Sequence, residues 1–125
     1  AKLRPSPPAF AWIYDISDER QPMPISTFQV EGVDPEGAPQ EMMTGCHQPS
    51  ERFFNNILPF AWFAQGLRLV DISDPFRPRE VGFYEPDAPA GCRRASSNDV
   101  TMDDRGLVYL LDRQQGLDII ECFPQ

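Results

Sequence analysis

Short apolar runs separated by polar, glycine- and proline-bearing breaks set the rhythm of this chain. Phe60-Ala61-Trp62-Phe63-Ala64, Leu67-Arg68-Leu69-Val70, Leu107-Val108-Tyr109-Leu110-Leu111 and Leu117-Asp118-Ile119-Ile120 are each the length of a strand, too short for a helix and rich in β-branched and aromatic residues. The breaks carry turn chemistry. Asp103-Asp104-Arg105-Gly106 reads as a hairpin turn in which glycine supplies positive φ; Asp74-Pro75 and Arg77-Pro78 read as a turn with φ preset by proline; Gln65-Gly66 and Gln114-Gln115-Gly116 make a third kind. Fourteen prolines are spread along the 125 residues. No amphipathic helix of about a dozen residues fits between them, because proline removes a donor and clashes inside a helix. The pattern predicts an all-β chain.

The apolar runs also repeat. Tyr14-Asp15-Ile16-Ser17-Asp18 lies 56 residues before Val70-Asp71-Ile72-Ser73-Asp74, and the same step carries Pro22 to Pro78, Ile25 to Val81 and Phe28 to Tyr84. Gly66-Leu67-Arg68-Leu69-Val70-Asp71 matches Gly116-Leu117-Asp118-Ile119-Ile120-Glu121 at a step of 50, with an apolar strand upstream of each glycine. Further upstream, Cys46-His47-Gln48 corresponds to Asn98 and its neighbours at a step of 51. A full unit then holds four short strands: one near His47 or Asn98, one ending at Ala64 or Leu111, one from Leu67 or Leu117, and one over Glu80 to Tyr84. Four antiparallel strands in roughly 45–55 residues are the size of a propeller blade. The expected architecture is two to three four-stranded antiparallel blades of a β-propeller, incomplete in this chain, with units at about 9–44, 45–95 and 96–125. Residues 1–8, with Pro5, Pro7 and Pro8, read as a linker or broken end.

The tracts from Gly66 to Pro75 and from Pro78 to Gly82 resemble the LVIVD repeat, a bacterial and archaeal family. The stretch from Asn98 to Glu121 resembles a closing repeat near the C-terminus of such proteins. This resemblance implies a β-propeller in an exported or cell-surface protein. Two features depart from it: the first unit has Ala9-Phe10-Ala11-Trp12 in place of the Gly-Leu entry, and a long Gly/Pro-rich insertion runs from Glu31 to Thr44. Two or three blades cannot close a ring, so the open sheet edges call for remaining blades or partner chains.

Composition narrows the function classes. A net charge of −8, with only Arg93-Arg94 as a basic pair, argues against nucleic acid. The longest apolar stretch, Ile57 to Ala64, contains a proline and is strand-sized, so no transmembrane segment is expected. Ala1-Lys2-Leu3-Arg4 is followed by prolines instead of an apolar segment, so this chain shows no signal peptide; an extracytoplasmic location rests on the family resemblance.

Candidate chemistry is sparse. His47 is the one histidine, which leaves no Ser-His-Asp set to argue from spacing, and no glycine-rich phosphate loop is present. In a propeller, the start of the innermost strand faces the central channel. His47 and Asn98-Asp99 then stand at equivalent channel-edge positions, where His47, Asn98 and Asp99 could bind a ligand or a divalent metal. The plainer expectation is that His47 and Asn98 bond the loop backbone and hold neighbouring units together. The paired aspartates Asp15/Asp18 and Asp71/Asp74 offer too few ligands for calcium and read as turn caps. Trp12 and Trp62 read as core. Cys46 and Cys92, each following a glycine in a loop, could form a disulfide in an oxidising compartment; the alternative is that the cysteines are small buried hydrophobes. Two functions follow: a non-catalytic scaffold or recognition surface, or a metal- or small-molecule-binding enzyme centred on His47.

Overall fold

A computed structural model describes residues 9–31 and 44–122. Among these residues the chain is all-β, without a helix, and forms three antiparallel sheets in sequence order. The first pairs β1 (Ala11–Asp15) with β2 (Met23–Phe28). The second is a four-stranded meander of β3 (Gln48–Pro49), β4 (Ile57–Ala61), β5 (Leu67–Asp71) and β6 (Arg79–Tyr84). The third joins β7 (Ser97–Met102), β8 (Leu107–Asp112) and β9 (Gly116–Glu121). Residues 1–8 and most of the insertion at 31–44 lie outside the described residues.

The sequence repeat is also a repeat of backbone geometry. The Asp15 carboxylate accepts the Ser17 N–H at 2.8 Å, and Asp71 accepts the Ser73 N–H at 2.9 Å. Asp18 caps the Arg20 N–H and Asp74 the Phe76 N–H, at 3.1 and 3.0 Å. The turns close through Gln21 N–H to Asp18 O and Arg77 N–H to Asp74 O, both 2.9 Å. These are Asx turns, in which a short side-chain acceptor replaces a backbone one. A register irregularity between Ile13 and Tyr14 recurs at the equivalent Leu69 and Val70. β1 and β2 therefore correspond to β5 and β6, and the pairings of β8 with β9 correspond to those of β4 with β5.

The sheets stack face to face. Ala11, Phe28 and Val30 of the first unit pack on Phe60, Trp62 and Val70 of the second. The opposite face of the second sheet, Ala61, Leu67 and Leu69, packs on Val100, Met102, Val108 and Leu110 of the third. The second sheet is thus covered on both sides. Among the described residues, each flanking sheet has only one face covered.

Two expectations need correction. The apolar run Phe60 to Ala64 does not form a strand to its end: β4 stops at Ala61, and Trp62–Gly66 is a turn closed by Gln65 N–H to Trp62 O at 2.8 Å and Gly66 N–H to Phe63 O at 3.0 Å. Its residues are apolar because neighbouring sheets bury the turn. Trp12 is not core but 54% exposed, whereas Trp62 is fully buried. The covered face of β1 is the one carrying Ala11, and Trp12 projects from the other.

Candidate functional site

His47 stands at the seam between the second and third sheets. Its N–H donates to Ala61 O at 3.0 Å, which fixes the backbone just before β3. β3 is only two residues long, with Gln48 opposite Ala61 and Pro49 opposite Phe60; just beyond it Pro59 has no N–H to donate, and its carbonyl accepts the Ser50 N–H at 2.8 Å. The His47 Nδ1–H donates to the backbone carbonyl of Asn98, and the imidazole meets the Phe63 ring edge-on at 4.7 Å. The positions matched by the 51-residue step are joined to one another. Asn98 can offer its carbonyl because β7 is irregular between Ser97 and Asp99.

Phe63 links the rest of the seam. It holds a positive φ of 37°, and its carbonyl accepts the Ser97 N–H at 3.1 Å. The Arg113 guanidinium lies 5.2 Å over its ring, and the Arg113 N–H bonds Ser96 O at 3.1 Å. Asp112, 4% exposed, anchors this region: one carboxylate oxygen accepts Ser96 N–H at 2.6 Å and Ser97 Oγ–H at 3.3 Å, the other Gln114 and Gln115 N–H at 2.8 and 3.2 Å. Sequence reasoning missed Asp112; its carboxylate caps the N–H two residues on, at Gln114, as Asp15 and Asp71 cap Ser17 and Ser73.

Asp99 does not join His47. It pairs in register with Leu111, on the face of the third sheet turned away from the second, and its carboxylate accepts the Val100 N–H at 2.8 Å. Among the described residues no cluster of three or more His, Cys, Asp or Glu side chains could hold a metal ion. His47 and the Asn98 carbonyl tie the second sheet to the third, while Asp99 caps its own strand locally.

The structure leaves Cys46 and Cys92 unbonded. Cys46 is half-buried against the cluster around Phe60 and Trp62, and burial pushes its thiol up to about 11. Cys92 is exposed in the turn where its N–H bonds Pro89 O at 2.9 Å. The two thiols face different surroundings, one apolar and one solvent.

The remaining charged groups are mostly paired. Arg68, its side chain 7% exposed, reaches Glu80 at 3.4 Å and also pairs with Glu85, donates to Gln65 O at 2.9 Å and lies 4.9 Å over Phe83. Beside it a cleft of about 540 Å³ opens toward Phe28–Glu31. Asp71 is held down at about 2 by hydrogen bonds from the Ser73 side chain and backbone, with Arg79 adding at 2.7 Å. Burial pushes Asp103 up, but hydrogen bonds from Arg105, Leu107 and Tyr109 outweigh it and hold Asp103 at about 2. These carboxylates cap turns; no pair of them converges on a common point. Among the described residues no helix is long and apolar enough to cross a membrane.

Comparison with known proteins gives no match: no family model, no curated protein and no solved structure is significantly similar to the chain.

Proposed function

We propose that this chain is a non-catalytic segment of a β-propeller, of the LVIVD-repeat kind and from an exported or cell-surface protein, that serves as a scaffold or recognition surface. The observation that carries this reading is the recurrence of the repeat in three dimensions: the same Asx turns and the same strand irregularity return after 56 residues. Each sheet covers the next with a set face, and β7 lies beside β3 and β4 at the seam. Stacked antiparallel meanders of this kind are how propeller blades bury their faces. His47 supports a scaffold role, since its ring is committed to the Asn98 carbonyl and an aromatic edge.

The competing reading, a metal-binding enzyme at His47, is tested by elemental analysis of the purified protein beside His47→Ala. The scaffold reading expects no stoichiometric metal in either sample, and lower stability in the variant. Stoichiometric metal in the wild type that disappears in His47→Ala would overturn it.

A further inference from the structure

The two ends of the stack present apolar faces of opposite kind. On the first sheet, Phe10, Trp12 and Tyr14 form an exposed aromatic ladder, with ring centroids 5.4 and 6.1 Å apart, and Ile16 continues it at 62% exposure. On the third sheet, Leu111, Leu117 and Ile119 share a face and are 43%, 57% and 61% exposed. Single exposed apolar residues are ordinary, but contiguous sets mark contact surfaces.

The interior of the same stack shows what these faces match. Leu117 and Ile119 are the equivalents of Leu67 and Leu69, and Leu111 of Ala61; those three residues are buried against the next sheet. Tyr14 and Ile16 are the equivalents of Val70 and Ile72, which pack against the preceding sheet. One end therefore exposes the face that the repeat uses to cover its successor. The other exposes the face it uses to receive its predecessor. Continuing the established contact by one step brings the third sheet of one copy onto the first sheet of another.

We propose that a second copy of this chain covers these faces in a head-to-tail contact, with Leu111, Leu117 and Ile119 of one copy against Trp12, Tyr14 and Ile16 of the next. Such a contact is heterologous, so association continues into a closed ring or an open chain of copies. The inference rests on the stacked-repeat reading of the fold and is independent of whether His47 binds a ligand.

Sedimentation analysis of the full chain with two charge-bearing variants tests it. Wild type should sediment above the 14.2 kDa of one chain, increasingly so with concentration. Trp12→Lys blocks one face and Ile119→Asp the other, and each alone should be monomeric. Both sites are exposed, so both variants should unfold at the wild-type temperature when compared under monomeric conditions. Mixing them leaves one intact face on each protein, so the mixture should form a one-to-one pair and nothing larger. A folded wild type that stays at 14.2 kDa throughout overturns the proposal and assigns the faces to a further stretch of β-repeat. Self-association by either single variant also overturns it, because the contact would then join like faces. Stoichiometric metal at His47 would sink the scaffold reading while leaving these outcomes unchanged.

Discussion

The second sheet and its two neighbours are built from matching sequences yet live in different surroundings. Strands β5 and β9 share the Gly-Leu-x-aliphatic pattern, and β5 and β1 share the Asp-Ile-Ser-Asp turn. In β5 both faces are covered and Leu67, Arg68, Leu69 and Val70 are all buried; in β9 the matching Leu117 and Ile119 are exposed. The repeat thus specifies backbone path and turn geometry, while burial comes from having a neighbour. A stack of like sheets is stabilised by its interfaces, and its end units lack one each.

The tryptophans give the largest contrast. Trp62→Ala removes a fully buried ring from between the first and second sheets and should cost about 3–5 kcal/mol, read as a drop in the denaturation midpoint. Trp12→Ala, at a 54% exposed site, should cost less than about 1 kcal/mol under monomeric conditions. Equal losses would break the distinction between inner and end sheets.

The glycines sharpen it. Gly66 and Gly116 both have positive φ, 70° and 98°. A Cβ on Gly66 would sit 2.3 Å from Tyr84 O, whereas one on Gly116 meets nothing within 4 Å. Gly66→Ala should therefore cost roughly 3 kcal/mol from strain and clash together, and Gly116→Ala about 1–2 kcal/mol from strain alone. The difference arises because β6 passes Gly66, while no described strand lies at the corresponding place beside Gly116.

Arg68 is next. Truncating it to Ala strands the partly exposed Glu80 and Glu85 and opens packing against Phe83, a loss of about 2 kcal/mol. Arg105→Ala, which removes a solvent-screened pair with Asp103, should lower the denaturation midpoint far less than Arg68→Ala.

The smallest effect is in the turns. Asp71 and Asp103, both held at about 2, lie below the ordinary aspartate value of about 3.9. Their stabilisation is complete above the unfolded value and is lost as pH falls through the folded one, so the denaturation midpoint should decline between about pH 4 and pH 2. Asp71→Asn should flatten that decline.

The sequence made the turns and the later strands legible because their signals are local. Asp followed by Ser two residues on, and Gly at the entry to β5 and β9, constrain the backbone without outside help. The Phe54–Ile57 turn was equally local, with Asn55 and Asn56 at φ 49° and 61°, and the Asn-Asn pair was its unread signal. What the sequence could not show depends on neighbours. Trp12 and Trp62 look alike as residues in apolar runs, and only the presence of a covering sheet separates them. The end of β4 was hidden for the same reason, since a buried turn is as apolar as a strand. At the seam, the step of 51 paired His47 with Asn98, but the contact runs to the Asn98 backbone, which no side-chain pattern records.

Hydrogen exchange, comparing the amides of β5 with those of β9, tests the central claim most directly. β5 is bonded on both sides and β9 only to β8 among the described strands. The account predicts that every β5 amide exchanges only on global unfolding, while alternate β9 amides exchange close to open-chain rates. Uniform protection along β9 equal to that of β5 would contradict the account of β9 as an unpaired edge strand of the third sheet.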